Sequence, residues 1–432
     1  MKVLMLSHGH PAFSIGGAEV ASYNLHNGLN AIDGAECHYL ARVGPPIARH
    51  AGTPFMSLRQ AERETLFHAG DYDWFRLSNR DLDSLTRDLA RFVADVQPDV
   101  VHFHHVLGFG VEAIRAVRRA LPRAPIVLTL HEFLSICHNH GQMVRTRAAG
   151  LCSRASPAEC GVCFPDIPPA AFLRRELFLK SFFAEVDAFI SPSKFLLERY
   201  AAWGLPREKL HMLENGLDGG TAAPPRPTTR DGRRNRFAFF GQLNPFKGVK
   251  TLVEAVGRVP AESWRDDAAL YVFGGNLEVQ PEAFQQDFKR LVTAAGRRVR
   301  FFGSYKAADL PRLMREVDWV VVPSTWWENS PVVIQEAFFH GRPVIASDIG
   351  GMAEKVRHGV DGLHFRVGSA ESLVDRLLEA IETPGLWGRL RARIRKPMSA
   401  PDAARRHREL YAKLIQRRAA AALPASAGAA AD

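Results

Sequence analysis

Short apolar runs alternate along this chain with longer stretches in which apolar side chains recur every third or fourth position. Residues 2–7, 100–105, 126–131, 187–191 and 209–213 are runs of the first kind. They predict strands buried on both faces, as in a parallel sheet. Residues 18–29, which follow a glycine pair, and 193–203 carry the helical period. The texture then changes. Residues 219–236, GGTAAPPRPTTRDGRRNR, are rich in Pro, Gly and Arg and nearly devoid of apolar side chains, which predicts a linker. The alternation then restarts, with strands expected at 237–240, 270–273, 299–302, 319–323, 343–346 and 362–365. Strands and helices alternating in this way predict two α/β units, each a doubly wound parallel sheet. Such sheets bind ligands beyond the carboxyl ends of their strands, so functional residues are expected just after the apolar runs.

Length agrees with two units, since 432 residues exceed what one ordinary core requires. The composition, 46% hydrophobic and 24% charged, is that of a globular protein, and no apolar stretch is long enough to span a bilayer. The first apolar run is too short for a secretory signal, so a cytoplasmic chain is expected. The net charge of +10 favours an acidic partner: nucleic acid, an anionic membrane or a phosphorylated substrate. Part of the excess is local. Between positions 389 and 418, eleven Lys or Arg residues stand against only Asp402 and Glu409.

The segment richest in chemistry is 324–341, STWWENSPVVIQEAFFHG. Ser330 predicts an N-cap, Pro331 a first helical position and Gly341 a C-terminal cap, so a helix is expected from 331 to about 340. A helix N-terminus presents unpaired amides and a positive dipole end, a site for a diphosphate. Glu328 stands just before this helix and Glu336 more than one turn inside it, about 10 Å apart by helical rise. That separation suits one carboxylate at a sugar and the other at a ribose diol, with the diphosphate between them.

Glu328 and Glu336 form an E-x7-E pattern that resembles that of the family-4 retaining glycosyltransferases. These enzymes have the GT-B fold, two Rossmann-like domains facing a central cleft. PVIASDIGGMAEKVRHGVDGLHF (343–365) is similar to that family's next strand, Gly-rich loop and helix. FFGQLNPFKGV (239–249) resembles its strand, loop and phosphate-binding lysine, here Lys247. GGAEV (16–20) resembles its N-terminal glycine loop, and SPSKF (191–195) and NGLD (215–218) also match. The likeness covers nearly the whole chain, with gaps at about 43–96 and in a cysteine-rich insert at about 137–163.

The resemblance implies an acceptor-side domain at 1–218, the linker at 219–236 and a nucleotide-sugar domain at 237–395. A basic helix at 396–418 would cross back onto the first domain, and the Ala-rich 419–432 reads as a disordered tail. The activity implied is transfer of a sugar from a UDP- or GDP-sugar to a glycan or lipid-linked acceptor with retention of configuration. The setting implied is cell-surface polysaccharide synthesis at the inner face of the membrane. The donor would contact Gly16, Gly17, Gln242, Lys247, Asn329, Ser330, Pro331, Val332 and Glu336, and catalysis would rest on His131, Glu328 and Lys247. His131 resembles the family's histidine near the transferred sugar, though Glu132 follows where Asp is usual. Gln242 stands where the family usually has Arg, and brings no charge to the diphosphate. The step implied is a same-face substitution in which the leaving phosphate takes the acceptor's proton, with no metal and no cofactor required.

Cys137, Cys152, Cys160 and Cys163 fall in one short segment with His138 and His140. Four thiolates could hold a structural zinc; reduced, packed or redox-active thiols fit the same spacing. Two D-x-D triplets, Asp71-Tyr72-Asp73 and Asp81-Leu82-Asp83, follow no apolar run and read as solvated. FLRRELFLKSFF (172–183) mixes bulky apolar and basic residues, and reads either as an interfacial helix on an anionic membrane or as a core-facing helix. A nucleotide-sugar epimerase of GT-B architecture is the alternative enzyme. A basic nucleic-acid-binding protein has only the C-terminal charge in its favour and no recognition motif, so no nucleic-acid partner is expected.

Overall fold

In the computed structural model the apolar runs are strands. The structure describes residues 1–422 except 15, 59, 60, 71, 148, 149, 219, 229–231 and 266. In chain order the strands are β1 (Lys2–Ser7), β2 (Glu36–Val43), β3 (Phe55–Ser57), β4 (Glu64–His68), β5 (Tyr72–Asp73), β6 (Ser78–Asn79), β7 (Val100–Phe103), β8 (Ile126–Thr129), β9 (Ala188–Ser191) and β10 (Leu210–Met212). After these come β11 (Arg236–Phe240), β12 (Ala269–Phe273), β13 (Val299–Gly303), β14 (Trp319–Val322), β15 (Val344–Ser347) and β16 (Gly362–Phe365).

The chain divides into two compact units: Met1–Gly216 together with the chain from Met398 on, and Leu217–Pro397. The first holds a sheet in the order β10-β9-β8-β7-β1-β2-β4-β3, parallel except for β3 against β4. The second holds a fully parallel sheet in the order β13-β12-β11-β14-β15-β16. Each order reverses once, between β1 and β7 and between β11 and β14. At such a point the connections leave in opposite directions and open a crevice at the carboxyl ends of the two strands.

The second sheet shows why these strands read as continuously apolar. Phe237, Phe239, Val321, Ile345 and Leu363 face one core, while Ala238, Phe240, Val320, Val322 and Ala346 face the other. Both faces are covered, so both parities of the strand must be apolar. The strands β2 and β4 were not anticipated. Glu36, His38 and Glu64 interrupt them with polar, half-buried positions, as expected toward a sheet edge.

The last helix, Ala400–Ala422, belongs to the first unit. It lies so close to the helix Gly17–Asn30 that a Cβ at Gly28 would stand 2.8 Å from the Ala400 carbonyl oxygen. Its Tyr411 and Leu414 join the core of Val3, Met5, Leu25 and Leu29. The helix is regular through Ala422, so residues 419–422 are helical rather than part of a disordered tail, and 423–432 lie outside the described residues. The 219–236 segment also differs from a solvated linker. Arg226 and Arg234 pair with the fully buried Asp318 at 2.7 and 3.1 Å, and the Arg342 guanidinium donates to the Ala223 and Pro224 carbonyls. A buried carboxylate needs such partners, which is why an arginine-rich segment docks there.

Candidate functional site

Both reversal points carry the residues expected to function. In the second unit, Asn244 follows β11 and its side chain accepts from the amides of Phe246 and Lys247, each at 3.0 Å, folding Pro245–Lys247 into a tight turn. Gly248 then opens the helix Val249–Arg258 at φ +69°. A Cβ there would lie 1.7 Å from the Pro323 carbonyl oxygen, so only glycine lets this turn rest against the end of β14. The Thr325 amide donates to the Phe246 carbonyl at 2.8 Å and ties the two segments together.

Lys247 is thus aimed at Glu328. Its Nζ donates to Glu328 Oε1 at 2.6 Å, and the same oxygen accepts from Ser324 Oγ and Trp326 Nε1, both at 2.8 Å. The Trp326 ring stacks on Phe246 with centroids 5.6 Å apart. Burial pushes the Glu328 carboxyl up, but the Lys247 charge and these hydrogen bonds outweigh it and hold the group below its ordinary value. Its other oxygen, Oε2, makes no hydrogen bond among the described residues. The glycine pair 350–351 acts as a spacer. The Gly351 amide donates to the Glu328 carbonyl at 2.7 Å, and a Cβ on Gly351 would stand 1.6 Å from the Asn329 carbonyl oxygen.

The helix after Glu328 is Val332–Phe339, one residue shorter at its start than expected. Pro331, extended at φ −60° and ψ 117°, takes the N-cap position, and no side chain caps the helix. Ser330, expected as the N-cap, is therefore one residue too far out to serve the first-turn amides. Its Oγ is buried without a hydrogen-bond partner among the described residues, a state that costs about 1–3 kcal/mol. Glu336, inside the helix, also lacks any side-chain hydrogen bond or ion pair among the described residues, and burial alone pushes its carboxyl from 4.5 up to about 7. Tyr305 is near enough that burial first, and then the Glu336 charge, raise its phenol above the usual range. Gln242 is exposed on the loop after β11.

In the first unit, Gly16 is the N-cap of the helix Gly17–Asn30, and a Cβ on Gly16 would meet Glu19 Oε2 at 2.6 Å. Glu19 was passed over in the sequence, although its place in the first turn after two glycines was the available signal. It accepts from Ser14 Oγ at 2.8 Å and stands 3.3 Å from His8 Nε2. Burial pushes its carboxyl up, but the hydrogen bond and charge of His8, its own backbone amide and Ser14 bring it down to about 2. His131 follows β8, and burial, then His105 and His8, push its pKa down to about 3. Its Nε2 lies 3.1 Å from His104 Nδ1, while His104 Nε2 is buried without a partner. A proton on His104 Nδ1, donated to His131, leaves no buried N–H unpaired at His104, so we assign that tautomer. The structure therefore gathers Lys247, Glu328, Asn329, Ser330, Pro331, Val332 and Glu336 beside one crevice. Gly16, Gly17 and His131 stand beside the other, linked through His8 and Glu19.

Of the two D-x-D triplets, Asp71 lies outside the described residues, and Asp81 sits in a loop with its amide bound to Asn79 Oδ1 at 2.8 Å. No helix among the described residues is long and apolar enough to cross a membrane.

Two doubly wound units in one chain define the GT-B class of α/β protein, and solved structures agree. Sucrose-phosphate synthase from Thermosynechococcus elongatus superposes with a TM-score of 0.70 at 18% identity, covering 96% of this chain and 99% of that one. Anabaena HepE in complex with UDP and glucose gives 0.64 at 18% identity, covering 96% and 100%. Residues 15–219 match the family model described as Glycosyltransferase Family 4, and residues 234–383 match that described as Glycosyl transferases group 1. The chain belongs to the family-4 glycosyltransferases. Among curated relatives, D-inositol 3-phosphate glycosyltransferase of Jonesia denitrificans is 26% identical over 64% of this chain and 63% of its own length. Mannosylfructose-phosphate synthase of Agrobacterium fabrum is 27% identical over 45% and 44%. The same inositol-phosphate enzyme of Corynebacterium efficiens is 31% identical over 29% and 30%, so the chain spans less than two thirds of the length of each.

Proposed function

We propose that this chain transfers a glycosyl group from a nucleotide-diphosphate sugar, UDP- or GDP-linked, to a glycan or lipid-linked acceptor with retention of configuration. The observation that carries this reading is the pair of carboxylates set oppositely at one crevice. Glu328 is held ionised by Lys247, whereas Glu336 is buried with no partner and its carboxyl is raised to about 7. A ribose diol supplies the two O–H donors that Glu336 lacks. The diphosphate then falls at the backbone N–H groups of Asn329, Ser330 and Val332, where the helix dipole favours an anion, with Lys247 Nζ and the unpartnered Ser330 Oγ as further donors. Glu328 orients Lys247 and offers Oε2 to a hydroxyl of the sugar.

The chemistry follows from where positive charge is available. As the bond from the anomeric carbon to the diphosphate breaks, negative charge grows on the leaving oxygen, and Lys247 and the helix amides stabilise it. The acceptor oxygen attacks the same face and passes its proton to that leaving oxygen, so the configuration is kept. Neutral His131, held by His104, is suited to bonding a hydroxyl rather than to supplying charge. Because the stabilising charge comes from Lys247 and the helix, the step needs no metal ion. HepE, solved with UDP and with UDP-glucose, supports testing uridine donors first.

For the acceptor, we infer docking on an anionic inner-leaflet surface. The helix Pro169–Phe183 buries Phe172, Leu179, Phe182 and Phe183 but leaves Leu173 and Leu177 48% and 60% exposed on either side of exposed Arg174. The helix Ala400–Ala422 exposes Arg406, Lys413 and Arg417, which make no side-chain hydrogen bond or ion pair among the described residues. Each such cation near the leaflet contributes about 1 kcal/mol. The test is a screen of UDP- and GDP-sugars by thermal shift, followed by NMR assignment of the product's anomeric centre. Stabilisation by one donor and a retained anomer are expected; no stabilisation by any donor, or an inverted anomer, would overturn the reading.

A further inference from the structure

Between β8 and the helix Pro169–Phe183 the chain leaves the sheet and builds a small lobe, residues 137–167. Among its described residues only Gly141 and Met143 are buried, and the helix Pro157–Cys163 buries none of its side chains. A lobe without an apolar core has little to offset the entropy of ordering its chain, and units of this kind are held by disulfides or by a metal. The lobe nevertheless has defined geometry. Val144 and Leu151 form an antiparallel bridge, the Cys152 amide donates to the Met143 carbonyl at 2.7 Å, and Thr146 Oγ1 donates to the Cys163 carbonyl at 2.6 Å. These contacts bring Cys137, Cys152, Cys160 and Cys163 to the wall of one cavity of about 160 Å³, as thiols rather than disulfides.

We propose that this cavity is a structural zinc site with those four cysteines as ligands. Cys160 and Cys163 stand three positions apart on one helix, so they share a face and supply half of a tetrahedron. Cys152 enters from the bridge and Cys137 from the loop after β8. Four thiolates with one C-x-x-C pair suit Zn²⁺ and exclude hard cations such as Mg²⁺ and Ca²⁺. As the side chains lie, no three His, Cys, Asp or Glu among the described residues are arranged to hold a metal. Cys152, for one, donates its S–H to the Arg154 carbonyl at 3.0 Å. Binding thus turns the sulfurs inward by rotation about χ1, and each thiol releases its proton to solvent as its sulfur bonds the metal; no electron is transferred. A metal cross-links all three segments at once, whereas disulfides join only pairs and need an oxidant.

The test uses full-length protein purified without chelator or added metal. Elemental analysis should find about one zinc per chain. Cobalt(II) exchanged into the site should show sulfur-to-cobalt charge transfer and strong tetrahedral d–d bands. Cys160→Ser/Cys163→Ser should lose the metal, while Cys37→Ser, in the sheet core, should keep it. Because the double variant can fail to fold, Cys163→His provides a second check: it should retain zinc with an altered cobalt spectrum. Metal-free protein whose four lobe thiols all titrate would overturn the proposal. So would a mass lower by two hydrogens per bridge, which marks disulfides, or bound iron with sulfide absorption.

Discussion

Replacing Glu336 with Gln separates a ligand-binding carboxylate from a structural one. Burial raises the folded-state carboxyl from 4.5 to about 7, so the folded protein holds this proton more tightly than the unfolded chain does. The associated stability is fully present below about pH 4.5 and is lost as the pH rises to about 7, beyond which the loss is constant. At about 1.4 kcal/mol per pH unit, that gap is worth about 3 kcal/mol at most. Gln keeps the shape and has no proton to lose. Glu336→Gln should therefore gain about 2 kcal/mol over the wild type between pH 5 and pH 8, a rise of roughly 4–8 °C in melting temperature for a unit of this size. Donor binding should move the other way. Calorimetric titration with UDP and GDP at pH 8 should show affinity reduced about 10- to 100-fold, because charge-assisted hydrogen bonds to the ribose are lost. Wild-type affinity should also rise with pH up to about 7, and the variant's should not. A variant that is more stable yet binds more weakly identifies a site held at the expense of stability. Equal stability differences at pH 5 and pH 8, or unchanged nucleoside-diphosphate affinity, would refute the reasoning.

Lys247→Ala should abolish transfer and cost about 2–4 kcal/mol in denaturant unfolding, because it strands the buried Glu328 carboxylate. Lys247→Ala/Glu328→Gln should recover most of that stability but none of the activity, and additive losses would count against the pairing. Gly351→Ala should leave little folded, active protein in a solubility and circular-dichroism comparison, since its Cβ would stand 1.6 Å from the Asn329 carbonyl oxygen. Transfer should persist in EDTA; loss restored by Mg²⁺ or Mn²⁺ but not Zn²⁺ would require a catalytic metal. Co-sedimentation with anionic vesicles should weaken at high salt and in Leu173→Asp/Leu177→Asp, and equal binding to neutral vesicles would remove the electrostatic part of the docking proposal.

Much of the architecture was legible because its cause is local. A strand covered on both faces must be apolar at both parities, so β1, β8, β11, β12, β14 and β15 announced themselves as apolar runs. Pro331 and Gly341 marked a helix for backbone reasons that hold in any fold. Strands β2 and β4 escaped because Glu36, His38 and Glu64 break the apolar pattern. Only the folded sheet shows Glu64 hydrogen-bonded to His10 at 2.8 Å and Tyr23 at 3.0 Å. The linker's arginines likewise read as solvated until Asp318, far along the chain, proved to be their buried partner. At the site, the sequence by itself determined that two glutamates flank a helix start, and nothing about them as letters distinguishes one from the other. The tertiary structure alone sets one low and the other high. Glu328 meets a lysine 81 residues away, while Glu336 is buried with no such partner among the described residues. Periodicity is dictated by the local backbone geometry of helix and strand. Protonation depends on which charges and dipoles the fold brings into a poorly solvated space, and those come from anywhere in the sequence.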